Sequence, residues 1–319
     1  MTLDPRGAGM HRLSDQEVHY AWDNSLPARL TIEPGALVEF VTRDASDGYY
    51  HPGSSAVDVE RRPKFRGHPL TGPVAIAGAR PGDVLAVRVV NVDVGSFGWT
   101  VVMPGKGFLA DTIATTYFQP WDLSSGCTAV MSDRVSLPIH PFCGVLGVAC
   151  AEPGVHGTIL PRRTGGNLDV KQLTAGATLF LPVEVEGGLF SVGDAHAAQG
   201  DGEVCNNGIE TSARVVLQFE ILTGYRIKQP QLITRGKVCN CGESHRATVA
   251  TAPTIELAAR DCVRYMIECL VETCGLTEAQ AYVVCSVAGD LKISQAVNQS
   301  FTVSMFMPEA IFSEGGARR

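Results

Sequence analysis

The sequence predicts an α+β protein that is predominantly β, a sandwich or barrel-like body of mixed sheets followed by a C-terminal helical hairpin. Three observations carry this. Glycine (34 residues) and proline (18) supply turn material for many short strands rather than long helices. One rhythm, a Gly-containing turn feeding an apolar run, recurs three times in the first 183 residues. Helical spacing appears only after Pro253, and strands followed by segregated helices mark α+β rather than alternating α/β.

The three turns are Glu33-Pro34-Gly35-Ala36, Arg80-Pro81-Gly82-Asp83 and Thr174-Ala175-Gly176-Ala177. They precede Leu37–Val41, Val84–Val90 and Thr178–Val183, which are apolar and rich in β-branched residues, as strands are. Arg214–Leu222 alternates polar and apolar residues, the pattern of a strand with one wet face. After Pro253, Ile255, Ala259, Cys262, Met266, Cys269 and Leu270 recur at helical spacing, and Gly275 marks a C-terminal stop. Thr277 and Gln280 have capping-box spacing, opening a second helix through Ala281, Val284, Cys285, Ala288 and Leu291. The expected division is a catalytic β body over 17–235 and a C-terminal segment over 236–319 whose hairpin packs on that body.

A length of 319 residues with 45% apolar and 18% charged residues is globular. The net charge of −7 speaks against a nucleic-acid partner. The densest basic stretch, Arg61, Arg62, Lys64 and Arg66, reads as a solvated loop, with substrate or subunit contact as the alternative. No apolar run approaches the ~20 residues of a membrane span, and the N-terminus lacks an apolar signal segment. The expectation is a cytoplasmic protein without membrane contact. The ten cysteines then read as free thiols, and Cys239-Asn240-Cys241 is too close for zinc-ribbon spacing.

The segment from Gly193 to Glu203 is the most informative. It holds Asp194, His196, Gln199, Asp201 and Glu203, separated only by glycine and alanine. In an extended chain Asp194 and His196 project to one face. So much negative charge beside apolar strands is costly unless neutralised. A divalent cation on carboxylate oxygen and imidazole nitrogen would do that; a solvated acidic loop with a capping histidine is the alternative. Asp44, Asp47 and His51 form a turn-rich loop that could reach the same place. Gly105–Asp111 looks like a phosphate loop but lacks the full Walker pattern, which excludes nucleotide binding there. Gly165-Gly166-Asn167-Leu168-Asp169 reads as a turn by default, and taken alone is only a weak site candidate.

At these residues the chain resembles the acetamidase/formamidase family. The matching segments, in order, begin with Gly72-Pro73, Gly78–Asp83, Gly105–Asp111, Pro141–Ala149 and Gly165–Asp169. Leu181-Pro182-Val183, Gly193–His196 through Glu203, Met266–Leu270 and Asp290–Gln295 follow, so the match spans roughly residues 17–307. The resemblance implies a β-rich cytoplasmic homo-oligomer that hydrolyses a small-molecule amide to a carboxylate and ammonia. It implies a divalent metal near the Asp-x-His segment, zinc first and calcium as the alternative. Cys143 and the Lys237–Arg246 region depart from the family pattern.

On this reading Asp194 and His196 bind the metal, with Glu203 or Asp201 as a candidate further ligand. Glu203, Glu152 or Asp201 carries the proton from water to the leaving nitrogen. Asn167 or a backbone N–H of the Gly165-Gly166 turn stabilises the oxyanion, and Cys143 borders the substrate. Two rivals stand beside it. One is a cysteine-nucleophile amidase using Cys143 with His140 nearby. The other is a non-catalytic metal- or sugar-binding β protein.

Overall fold

The computed structural model describes residues 9–234 and 244–312. Cys239 and Cys241 lie outside the described residues. The first strands are β1 (His11–Leu13), β2 (Ala21–Trp22), β3 (Leu30–Ile32) and β4 (Leu37–Thr42). A short helix α1 (Ala56–Arg61) leads to β5 (Leu70–Ile76), the long β6 (Val84–Val102) and β7 (Tyr117–Asp122). The middle of the chain supplies β8 (Thr128–Ser132), β9 (Val135–Pro138), β10 (Phe142–Gly147), β11 (His156–Gly157) and β12 (Gly165–Asn167). Next come β13 (Thr178–Pro182), β14 (Phe190–His196), β15 (Glu210–Leu222), β16 (Gln231–Thr234) and β17 (His245–Ala252). Helices α2 (Ile255–Cys274) and α3 (Glu278–Ala288) precede β18 (Asp290–Gln295) and β19 (Phe301–Pro308).

The fold is the predominantly β α+β architecture expected. One sheet runs β12-β10-β14-β15-β6-β13-β16-β17-β19-β18, with β1, β3, β4, β5 and β7 joined beside this path. Each of the three recurring turns does open a strand, namely β4, β6 and β13. Gly35, Gly82 and Gly176 hold φ of 87°, 97° and 95°, which only glycine adopts without strain. The strands wrap a core containing Val38, Phe40, Leu85, Val87, Leu179, Phe190, Val192, Leu217 and Phe219. Phe40, Phe190 and Phe219 meet edge to face at 5.1–6.2 Å.

The sheet crosses the expected 235/236 boundary through the β16–β17 pairing. Helix α2 covers β17 and β19 with Ala258, Cys262, Met266 and Leu270, making a second apolar cluster with Val303, Met305 and Met307. The cysteines at helical spacing are core filler. Gly275 ends α2 in the left-handed conformation at φ 68°, and Thr277 and Gln280 form the expected capping box. One boundary differs. Helix α3 stops at Ala288, and Leu291 belongs to β18. Gly289 breaks the helix where Met305 Cε and the Cys285 carbonyl leave no room for a Cβ.

Candidate active site

The ends of three neighbouring strands build the site. β14 lies between β10 and β15, and β12 pairs with the far edge of β10. Pairing in register sets His196 opposite Phe142 on one side and Glu210 on the other. The Phe142 ring packs against the imidazole at 5.0 Å, and His196 Nε2 lies 2.9 Å from Glu210 Oε1. Asp194, two residues back on β14, points to the same face: its Oδ1 is 3.8 Å from His196 Nε2. Asp169 follows β12 and is held by its N–H and that of Leu168, which both donate to the Gly144 carbonyl. Glu203 comes from the loop between β14 and β15.

The backbone is strained where these groups sit. Asp169, Asp194 and Glu203 have φ of 50°, 57° and 48°, half of the six described non-glycine residues with positive φ. Such residues cluster where surrounding structure holds them for a task. Gly144 of β10 lies directly beneath. A Cβ there would overlap Asp169 Oδ1 and stand 2.8 Å from Asp194 Oδ2 and 2.9 Å from His196 Cε1.

Asp169, Asp194, His196, Glu203 and Glu210 are all buried. Burial favours the uncharged form of each. It raises the Asp169, Asp194 and Glu203 carboxyls and lowers His196 towards the neutral imidazole, with neighbouring carboxylates pushing the acids further up. Glu210 is pushed up to about 8, chiefly by burial. Both oxygens of Asp169, Asp194 Oδ1, Glu210 Oε2 and His196 Nδ1 have no hydrogen-bond partner. Buried polar atoms are normally satisfied, so several orphans within one buried cluster imply a missing partner. Two overlapping triads, Asp194–His196–Glu210 and Asp169–His196–Glu203, each have ligand-type atoms within 4.8 Å of one another. Oxygen and imidazole donors at that spacing fit a divalent ion.

The cluster borders a cavity of about 610 Å³, lined by Asp194, Glu203, Glu210, His68 and Asn167 and walled by Phe65, Trp99, Met103, Ile159 and Leu160. Among the residues expected at the site, Asp194, His196 and Glu203 do come together. Asn167 reaches the cavity, but its Nδ2 donates to the Ile159 carbonyl, leaving Oδ1 as an unpartnered acceptor. Gly165 and Gly166 form buried strand β12 instead of a turn, and the Gly165 N–H donates to Arg162. These contacts suit Asn167 to receive an amide N–H better than to stabilise an oxyanion.

Glu152 stands in an exposed loop, bound to Arg163 at 2.7 Å, and that hydrogen bond lowers its pKa. Asp201 pairs with Lys171 at 3.0 Å and accepts from Gln172. Neither is part of the buried cluster. Cys143 belongs to the main core, and burial together with Asp194 pushes its thiol up, away from thiolate. His140 is exposed and gives it no electropositive setting. The Asp44 loop does approach: Asp44 accepts from Trp99 Nε1 of the cavity wall at 2.9 Å, and Ala45 lines the cavity. Sequence reasoning did not assign Asp169 or Glu210 to the cluster. It also missed His68, whose Nε2 lies 3.7 Å from Asp194 Oδ2.

A neutral imidazole and an excess of buried acids at the floor of an open cavity equip a hydrolase, and the relatives fix the bond as an amide. The acetamidase/formamidase family matches over residues 9–156 and 150–314, and the chain belongs to that family. It is 29% identical to an acetamidase of Mycolicibacterium smegmatis over 66% of this chain and 68% of that one. With a formamidase of Methylophilus methylotrophus the identity is 28%, over 68% of each. The crystal structure of an acetamidase from Bacillus halodurans superposes with a TM-score of 0.87 at 30% identity, covering 94% of this chain and 98% of that one. The protein is an amide hydrolase.

Proposed function

We propose that the chain hydrolyses a short-chain amide of the acetamide or formamide kind to a carboxylate and ammonia, using a divalent ion, zinc in the first instance. The carrying observation is the set of orphaned donor atoms on Asp194, His196 and Glu210, with Asp169 and Glu203 beside them. Asp194 and His196 would hold the ion together with Glu210 or Asp169. Such an ion polarises a carbonyl and lowers the pKa of water. The protein's own groups do the rest. Asn167 Oδ1 accepts an N–H of the substrate amide and so orients it. Glu203, a buried carboxyl lining the cavity, takes the proton of the attacking water and returns it to the departing nitrogen. Trp99, Phe65 and Met103 wall the cavity and limit competing water.

A cysteine nucleophile gains no support from the buried, high-pKa Cys143. The eight described cysteines are all unpaired, which suits a reducing compartment, and we place the enzyme in the cytoplasm. Among the described residues no helix is long and apolar enough to cross a membrane.

The test is metal content by elemental analysis, paired with ammonia release from formamide and acetamide. Chelation should abolish turnover and zinc restore it. His196→Ala should lose both metal and activity while remaining folded. Full activity in protein shown to be metal-free would overturn the metal-dependent reading.

A further inference from the structure

Three cations from three separate loops line the cavity: Arg62 after α1, Lys106 after β6, and Arg162 before β12. None of them makes an ion pair among the described residues, although acids line the same cavity. Asp194 and Glu210 instead face the imidazoles, as His68 and His196 lie within 4 Å of them.

Among the described residues neither arginine has a carboxylate at ion-pair distance, and Lys106 is exposed. The Arg62 guanidinium stacks 5.2–5.7 Å from the ring centres of Phe65, Tyr50 and Trp99 and donates to the Ala45 carbonyl. Stacking of this kind fixes the plane of a guanidinium and leaves its other N–H groups to bind. Arg162 Nε is buried with no hydrogen-bond partner, a costly arrangement for a charged group unless an anion arrives. Lys106 sits in a turn pinned to the Glu203 loop: Phe108 N–H donates to the Val204 carbonyl at 2.8 Å, and Gly107, at φ 85°, packs against it where a Cβ would collide. A two-carbon neutral amide would leave these three groups unused and most of a cavity of about 610 Å³ filled with water.

We propose that the preferred substrate is an amide whose acyl chain ends in a carboxylate, a dicarboxylic acid monoamide, with Arg162, Arg62 and Lys106 binding that carboxylate. The inference rests on the amidase reading and deepens it. The amide lies over the acidic cluster, and the remote carboxylate reaches the cationic wall. A guanidinium binds a carboxylate in a two-pronged, charge-assisted geometry that no neutral chain end supplies. Hydrolysis then yields a dicarboxylate and ammonia, with water supplying the oxygen and the protons.

The experiment compares kcat/KM for succinic acid monoamide with that for butyramide, which has a similar chain without the charge, and for acetamide. The metal-loaded enzyme should favour the acidic amide by at least about tenfold, and added salt should erode that preference. Arg162→Gln should cut kcat/KM for the acidic amide at least about tenfold more than for acetamide. Separately, calorimetry should show succinate binding to the metal-loaded protein and weakening in Arg162→Gln. Butyramide turned over as well as the monoamide would overturn the substrate class and leave the amidase reading intact. Ammonia from none of the amides, with succinate still bound through Arg162, would sink the amidase reading and keep the anion site. Absence of succinate binding would overturn the anion site itself.

Discussion

Gly144 lacks a side chain because three functional groups occupy the space that a Cβ needs. Its backbone conformation is ordinary, so alanine would be tolerated by the strand but not by the carboxylates of Asp169 and Asp194 or the ring of His196. Gly144→Ala should therefore lose at least about 100-fold in ammonia release, the cost of misplacing catalytic groups by about 1 Å. Its circular dichroism should stay that of the parent; near-parental activity would show that the cluster is not the site. Cys143, the preceding residue, makes the opposite case. Its thiol is a core group with its pKa raised by burial, so Cys143→Ala should keep most of the activity and cost about 1–2 kcal/mol in a urea titration. Loss of activity by orders of magnitude in a folded Cys143→Ala would restore the cysteine mechanism. Asp194, His196 and Glu203 were legible in the sequence because they share eleven residues of small-residue chain, 193 to 203. Asp169, Glu210 and His68 were not. Each is ordinary in its own neighbourhood and joins the cluster only through strand pairing or a long-range approach.

At the scale of elements, local chemistry was read most readily where one residue type decides a conformation. The left-handed glycines before β4, β6 and β13, the Gly275 stop and the Thr277–Gln280 capping box are of this kind. The Gly165-Gly166 segment was misread as a turn, because β12 depends on a partner, β10, that lies far away in sequence. The pairing of β14 with β15 has an energetic consequence. It sets Glu210 beside His196 and close to Asp194 in a buried place, so the folded chain without metal holds Glu210 protonated up to about pH 8, whereas the unfolded chain releases that proton near its ordinary value of 4.5. Between those values the folded state binds more protons, and stability must fall as pH rises. Chelator-treated protein should thus show a falling urea midpoint from pH 5 to pH 8. Zinc-loaded protein should lose most of that slope, since an ion takes the place of the protons. Equal slopes with and without metal would argue that no ion binds these groups.

At the scale of the whole molecule, the long β6 and β15 carry the main core from one end of the sheet to the site at the other. The sheet then runs on into the C-terminal strands instead of stopping at a domain boundary. Its final strand, β18, pairs with β19 on one side; on the other, among the described residues, only Gly202 bridges it, at Ser294 and Gln295, which leaves residues 290–293 as an edge. Leu291 and Ile293 on that edge are half exposed, and Tyr282, Val283 and Val287 on the adjoining helix α3 are more than half exposed. An apolar edge of this kind invites pairing with another chain. We propose that the occupant is a second copy of this chain, lying antiparallel about a two-fold axis at Leu291. That register sets Asp290 of each copy opposite Lys292 of the other, so charge as well as apolar surface is matched, and one patch serves both copies. Light scattering should give an even-numbered oligomer at micromolar concentration. The double variant Val287→Lys, Leu291→Lys should give monomers, because four new charges would face one another across each interface. Its helices should remain, since both replaced side chains point to solvent. A monomeric parent, or an oligomer unchanged in the double variant, would remove β18 and α3 as the contact.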